Sequence, residues 1–165
     1  MRARQTGTLV FIGSRSGWYG DAFCSAYSSS KFALEGMVES LSRETERFGI
    51  ATLLIDPGRF RTGFLSTGKG KLAPAEPTTE DYKLGYEQFL QFLAVENGNQ
   101  PGDVKKGVNV IVDLVRGEGI AEGRGKIPLR LPIGTDSLET IREKCLETLG
   151  VLQDWESVVT GCDHE

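Results

Sequence analysis

Two short apolar segments on either side of one long helical pattern constrain this chain most strongly. Residues 8–12 form a continuous β-rich apolar run that ends at Gly13, and residues 50–55 form a second run of the same kind. Between them, apolar side chains recur at helical spacing over residues 26–48, and Gly49 ends the pattern. Because the connections are short, this order predicts a right-handed βαβ unit with parallel strands. Continuous apolar runs also indicate strands that are buried on both faces.

The middle of the chain predicts two more helices and a third strand. Residues 66–80, rich in Gly, Pro, Lys and Thr, are typical of a loop, and residues 80–95 have the spacing of an amphipathic helix. Asp103 is a favourable N-cap for a helix that continues to about residue 115. Residues 127–131 then predict a short strand.

The C-terminal region predicts one last helix, over residues 137–149, with Asp136 or Ser137 as its cap. The residues that follow are expected to form a tail anchored by Trp155. Together these patterns predict an α/β fold in which three parallel strands lie side by side in chain order, with helices on the faces of the sheet.

Composition excludes several classes of function. A chain of 165 residues fits a single domain. Its net charge of −4, without a basic run longer than two residues, argues against nucleic-acid binding. Charged residues recur too often for a membrane span. The first eight residues lack a long apolar run, so we do not expect a secretory signal peptide.

Cysteine and histidine usage narrows the chemistry further. The three cysteines are scattered without CxxC spacing, which favours a reducing compartment, and we expect the cytoplasm. The single histidine, His164, is second from the C-terminus. Most serine hydrolases and most zinc enzymes need a positioned imidazole, so neither acyl hydrolysis nor a metal site is expected.

Tyr27 and Lys31 are four residues apart at the start of the long helical pattern, so their side chains share one face. A tyrosine with an ordinary pKa of about 10 is a poor acid or base at neutral pH. An ammonium group one turn away stabilises the phenolate and makes the phenol usable in proton transfer. Taken alone, the pair is weak evidence, because a Tyr and a Lys at this spacing are more often a surface contact on a helix than a catalytic pair.

Ser14 directly follows the first predicted strand, thirteen residues before Tyr27. In an open parallel sheet, sites form at the carboxyl ends of strands, and the next helix begins near the same edge. Ser14 is therefore expected to hold a substrate oxygen beside the Tyr27 phenol. The alternative is that Ser14 caps a turn within residues 13–17. The aromatic residues that follow are candidates either for a substrate pocket or for packing of the loop: Trp18, Tyr19 and Phe23.

Several spaced motifs resemble the short-chain dehydrogenase/reductase family. The similarity covers Gly-Thr-Leu-Val-Phe-Ile-Gly-Ser at residues 7–14 and Tyr-Ser-Ser-Ser-Lys-Phe-Ala-Leu-Glu-Gly at residues 27–36. It continues with Gly-Ile at 49–50 and Asp-Pro-Gly-Arg-Phe-Arg-Thr at 56–62. The resemblance is specific over this region and looser toward the C-terminus. It implies an NAD(P)-dependent oxidoreductase that interconverts a small-molecule alcohol and a carbonyl by hydride transfer.

The resemblance also implies roles for individual residues. Tyr27 would be the general acid in reduction and the general base in oxidation, and Ser14 would hydrogen-bond the substrate oxygen. Lys31 would bind the nicotinamide ribose hydroxyls of NAD or NADP and stabilise the Tyr27 phenolate. The protein would supply orientation and a proton, while the hydride chemistry belongs to the cofactor.

The segment after the second strand is implied to bind the nicotinamide. Pro57 and Gly58 would pack beside the ring. The backbone of Phe60 and the side chain of Thr62 would hold its carboxamide. Residues 63–100 are expected to form a substrate lid.

The sequence also departs from the family pattern. No glycine-rich pyrophosphate turn precedes Ser14, and the family's first four strands and its catalytic asparagine have no counterpart. We therefore expect residues 1–165 to form one partial domain: an incomplete, doubly wound, Rossmann-like fold. A truncated gene model and a natural fragment both stay open. The alternative to an active oxidoreductase is a non-catalytic remnant that cannot bind the dinucleotide. The resemblance further implies a homo-oligomer for a full-length form, packed partly through the long helix.

Overall fold

The computed structural model describes residues 1–66 and 76–164. The two predicted segments that include residues 67–75, the loop at 66–80 and the lid at 63–100, therefore fall partly outside the described residues. The helices and strands, in chain order, are β1 (Gly7–Ile12), α1 (Ser25–Glu46), β2 (Ile50–Pro57), α2 (Lys83–Glu96), α3 (Val104–Arg116), β3 (Arg130–Ile133) and α4 (Thr135–Thr160). Short 3₁₀ turns connect them, among them Arg15–Gly17 after β1 and Gly63–Leu65 after β2.

The three strands form one parallel sheet in the order β1-β2-β3. In the pairing of β1 with β2, Gly7 lies opposite Ile50 and Ile12 lies opposite Ile55. The shorter pairing of β2 with β3 ends with Pro57 opposite Ile133. The carboxyl ends of all three strands therefore meet at one edge of the sheet. This arrangement confirms the predicted Rossmann-like α/β fold with three parallel strands and flanking helices.

The core of the molecule is built on the central strand. Leu53, Leu54 and Ile55 in β2 are fully buried. Leu53 and Ile55 pack with Leu114 of α3 on one face of the sheet. The start of helix α3 is fixed by Asp103, whose side chain accepts a hydrogen bond from the Lys106 backbone N–H at 3.1 Å, as predicted for its N-cap.

The expectation that both runs are buried on both faces is correct for β2 and wrong for β1. Val10 and Ile12 are 37% and 52% exposed. Within the described part of the chain, β1 is an edge strand that pairs with β2 alone. Val10 and Ile12 are two residues apart and lie on the same face of the sheet, so their exposure shows that this face is poorly covered at β1; the composition of the run does not carry this information.

The C-terminal region differs most from the prediction. The third strand is Arg130–Ile133, so it begins three residues later than residue 127. Helix α4 begins at Thr135, with Gly134 rather than Asp136 or Ser137 in the N-cap position, and continues to Thr160. The expected tail is therefore helical, and Trp155 is 57% exposed rather than an anchor. Helix propensity does not explain this extension, because residues 150–160 include Gly150 and three valines.

Among the described helices, none has the length and apolar character needed to cross a lipid bilayer.

Replacing Leu53 by alanine should lower the free energy of unfolding by about 2–5 kcal/mol, because a fully buried leucine leaves a cavity that the packed sheet cannot close. Urea unfolding monitored by circular dichroism measures the change. Leu146→Ala is the control, since Leu146 is 61% exposed and should change stability by less than about 0.5 kcal/mol. Equal midpoints for the two variants would contradict this assignment of the core.

Candidate active site

A cavity of about 500 Å³ opens at the carboxyl edge of the sheet. Its floor is formed by the segments that leave β1 and β2, and α1 and α2 supply its sides. All seven residues predicted for the site line this one cavity: Ser14, Tyr27, Lys31, Pro57, Gly58, Phe60 and Thr62. The fold therefore brings together predicted residues from three separate stretches of the chain.

Ser14 lies where β1 ends, and the register of the sheet holds it there. The Gly13 backbone N–H donates to the Ile55 carbonyl at 2.7 Å, which continues the β1–β2 pairing up to the serine. Ser14 is buried, and its Oγ accepts a hydrogen bond from the Ser16 backbone N–H at 3.1 Å. The side chain thus caps the following turn, as the alternative interpretation anticipates. A hydroxyl that accepts one hydrogen bond keeps its own proton to donate, so capping and substrate binding are compatible.

Tyr27 and Lys31 lie one turn apart in the first half of α1 and share a face, as their spacing predicts. The Lys31 Nζ is 5.8 Å from the centre of the Tyr27 ring and donates to the Ile12 carbonyl at 3.0 Å. Burial lowers the pKa of Lys31, and the nearby carboxyl groups of Asp56 and Glu35 oppose this effect. Lys31 is thus a partly desolvated cation held between the end of β1 and the phenol.

The segment after β2 is held by backbone contacts at its first residues. The Gly58 N–H donates to the Ile133 carbonyl at 2.9 Å, so Gly58 extends the pairing with β3. The next N–H, of Arg59, donates to Asp136 Oδ2 at 2.8 Å near the start of α4. A Cβ on Gly58 would collide with the Asp136 carboxylate, so this position needs glycine for the close approach.

Farther along this segment, Phe60 pairs with Gly102 in an isolated parallel bridge. This bridge connects the site to the start of α3. Thr62 Oγ1 accepts from the Phe64 backbone N–H at 3.2 Å, and its own proton remains available as a donor toward the cavity. The Phe64 ring packs against Tyr27, with 5.6 Å between the ring centres.

Helix α2 closes one side of the cavity with apolar and aromatic side chains. Phe89, Phe92 and Leu93 line this wall together with Glu96. The Arg59 Nη1 is 2.8 Å from Glu96 Oε2, which ties the helix to the segment after β2.

The aromatic residues considered for the pocket mostly pack elsewhere. Trp18 does not line the cavity, and its indole N–H donates to Asp56 Oδ2 at 3.2 Å. Tyr19 is about half exposed. Phe23 stacks on Phe89 at 6.0 Å and supports α2 from outside the cavity lining. For these three residues, the packing interpretation describes the structure.

Sequence reasoning missed two buried carboxyl groups beneath the site. Asp56 is fully buried at the end of β2, and Glu35 is 7% exposed on the sheet-facing side of α1. Glu35 Oε2 accepts from Arg130 Nε at 2.7 Å. The signal in the sequence was an aspartate that ends a continuous apolar strand, a position at which an unpaired charge is costly.

Comparisons with known proteins agree with this architecture. A family model for short chain dehydrogenases matches residues 1–71. An uncharacterised oxidoreductase, YusZ of Bacillus subtilis, is 32% identical over 151 residues, which are 92% of this chain and 50% of the relative. Retinol dehydrogenase 8 of Bos taurus is 32% identical over 158 residues, covering 92% of this chain and 47% of the relative.

A solved structure also matches. A crystal structure of a short-chain dehydrogenase from Streptomyces avermitilis has a TM-score of 0.75 and 32% identity, covering 99% of this chain and 55% of that chain. The chain spans about half the length of the curated relatives that it matches. A parallel three-stranded sheet with a cavity at its carboxyl edge defines a Rossmann-like α/β protein. Within that class, the chain belongs to the short-chain dehydrogenase family.

Proposed function

We propose that this chain contributes the catalytic residues of an NAD(P)-dependent oxidoreductase that interconverts an alcohol and a carbonyl. The observation that carries the proposal is the convergence of Ser14, Tyr27 and Lys31 on one cavity. Ser14 donates its hydroxyl proton to the substrate oxygen. Tyr27 gives a proton to that oxygen in reduction and removes it in oxidation. Lys31 stabilises the Tyr27 phenolate.

The donors around the cavity fit the nicotinamide end of a dinucleotide. Lys31 supplies an ammonium for ribose hydroxyls. Thr62 supplies a hydroxyl, and the Phe60 backbone supplies an amide, for the carboxamide. Pro57 and Gly58 provide a flat surface beside the ring. When bound, the cofactor supplies or accepts the hydride, and these protein groups orient it.

The pocket favours a lipophilic substrate. The walls beside Tyr27 are apolar or aromatic: Phe64, Leu65, Phe89, Phe92 and Leu93. Burying such surface against a hydrocarbon stabilises binding by about 25 cal/mol per Å². Similarity to a retinol dehydrogenase supports the same choice. Helix α2 would act as part of a substrate lid over residues 63–100, with its apolar side toward the substrate.

Two further proposals concern the setting of the enzyme. Phe32 and Met37 on α1 are 47% and 50% exposed, which supports a homo-oligomer packed through this helix. Cys24, Cys145 and Cys162 are all free thiols, which supports a reducing compartment such as the cytoplasm.

A direct assay tests the proposed reaction. Purified protein is mixed with NADH or NADPH and a panel of lipophilic aldehydes and ketones, and loss of the reduced-nicotinamide absorbance is recorded. We expect turnover with long-chain or ring-containing carbonyls and little with acetaldehyde or acetone. Ser14→Ala should reduce the rate, whereas Ser157→Ala, an exposed serine on α4, should leave it unchanged. Equal rates for the two variants would remove Ser14 from the mechanism.

A further inference from the structure

Two acidic side chains from different elements meet directly beneath the site. Asp56 Oδ1 and Glu35 Oε1 are both buried, and neither has a conventional donor as partner. A Cβ on Gly13 would collide with Asp56 Oδ1 and lie 3.2 Å from Glu35 Oε1, so both oxygens converge on the same glycine. Two carboxylate oxygens in such a place repel each other unless a proton lies between them.

The remaining oxygens of the pair have fixed partners. Glu35 Oε2 accepts from Arg130 Nε at 2.7 Å, and the other end of that guanidinium is 2.6 Å from Glu39. Asp56 Oδ2 accepts from the Trp18 indole at 3.2 Å. Glu35 is therefore paired with the positively charged Arg130 guanidinium, whereas the side chain that donates to Asp56 is the neutral indole of Trp18. This difference assigns the negative charge to Glu35 and the proton to Asp56.

We propose that protonated Asp56 donates a hydrogen bond to Glu35, and that this carboxyl pair is a positioning device for Ser14 and Lys31. The inference rests on the proposed function, since it assigns a purpose to the placement of those two residues. Asp56 is absent from the cavity lining, so it acts through its neighbours rather than on a substrate.

Contacts connect the pair to both residues. Asp56 Oδ1 packs directly against Gly13, the residue before Ser14, at the point where β1 turns away from the sheet. Lys31 lies one helical turn before Glu35 and is within electrostatic reach of both acids. A neutral Asp56 leaves Lys31 with one nearby negative charge rather than two, and so leaves the ammonium free to interact with the phenol.

The pair makes the folded protein sensitive to pH in a defined direction. Burial, the hydrogen bond with Glu35 and the charge of Glu35 raise the pKa of Asp56 to about 7, whereas in an unfolded chain an aspartate has a pKa of about 3.9. The stabilising contribution is complete below about pH 3.9 and is lost as the pH rises through about 7. Between these values the unfolding equilibrium constant should rise by up to about tenfold per pH unit. The charged groups that face Asp56 are Glu35 and Lys31 of α1, and Arg130 of β3 acts through Glu35.

Carboxyl-carbon NMR of the unmodified, ¹³C-labelled chain tests the pair without an activity assay. We expect one aspartate carboxyl to titrate with a midpoint near pH 7 and the resonance to disappear in Asp56→Asn. The exposed Asp154→Asn is the matched control and should retain it. If every aspartate titrates below about pH 5, the shared proton does not exist and the proposal is overturned.

The variant Asp56→Asn tests the carboxyl pair through the pH dependence of unfolding. The amide mimics the protonated acid: its NH₂ donates to Glu35 and its oxygen still accepts from Trp18. We expect this variant to lose the dependence of unfolding on pH between 4 and 7, while Asp154→Asn keeps it. Identical profiles for the two variants would refute the pair.

Turnover supplies the readout for positioning. At pH 6, Asp56→Asn should retain kcat within about threefold, since a near-isosteric amide keeps the hydrogen bonds. The unmodified enzyme should lose kcat as the pH rises through 7, and Asp56→Asn should lack that loss. A decline that is the same in both proteins would overturn the positioning role. Absence of any turnover would instead count against the proposed reaction, and the NMR titration would still decide whether the pair exists.

Discussion

Replacing Tyr27 by phenylalanine will lower kcat for alcohol–carbonyl interconversion by about two to four orders of magnitude, the usual contribution of a positioned acid or base. The substitution removes one oxygen and keeps the ring, so the contact with Phe64 at 5.6 Å is retained. Cofactor affinity should change little, because the phenol proton is needed in the chemical step. Steady-state kinetics with fluorescence titration of NADH or NADPH separates these two effects.

Tyr82→Phe is the matched control for this experiment. Tyr82 is 60% exposed at the start of the α2 region, and removing its hydroxyl should leave kcat unchanged. Near-normal turnover by the Tyr27→Phe enzyme would refute the proton-transfer role. A parallel loss of cofactor affinity would show that the phenol instead contributes to binding.

Replacing Lys31 by methionine should reduce both kcat and cofactor affinity. Methionine keeps the apolar stem of the side chain but removes the ammonium that lies 5.8 Å from the Tyr27 ring centre and bonds the Ile12 carbonyl. Losing charge-assisted hydrogen bonds to the ribose should weaken binding by about tenfold to hundredfold. The accompanying loss of phenolate stabilisation should lower kcat further, so kcat/KM should fall by more than either parameter alone.

The control for Lys31→Met is Lys126→Met. Lys126 is exposed and its ion pair with Glu46 at 3.2 Å lies on the surface, where such pairs contribute little. This variant should bind and turn over normally. If Lys31→Met retains cofactor affinity and loses only kcat, the ribose-binding role is wrong and the electrostatic role toward Tyr27 stands alone.

The parts of the fold that the sequence predicted well are those governed by local rules. The apolar runs over residues 8–12 and 50–55, with one helical pattern between them, were sufficient to predict the βαβ unit and its parallel pairing. Asp103 marked the start of α3 because N-capping depends on a side chain and a backbone N–H three residues away. The length of α4 was missed because Gly150, a residue type that often ends a helix, lies within it.

Burial was the property that local rules could not supply. The runs in β1 and β2 have similar composition, yet Leu54 is fully buried and Ile12 is 52% exposed. A strand's exposure depends on its position in the sheet and on the elements that cover it. That information lies in the arrangement of the whole chain.

The positions of Ser14, Tyr27, Lys31 and the segment from Pro57 to Thr62 follow from the sequence itself, because helical spacing and strand ends bring such residues to one edge of a parallel sheet. The tertiary structure alone decided that Asp56 meets Glu35 and that Trp18 turns toward this pair instead of the cavity. Nothing in the sequence around any of these residues predicts that they will be in contact. Their geometry comes from the packing of α1 against β2, and the energy of a buried charge depends on that packing rather than on the neighbouring residues in the chain.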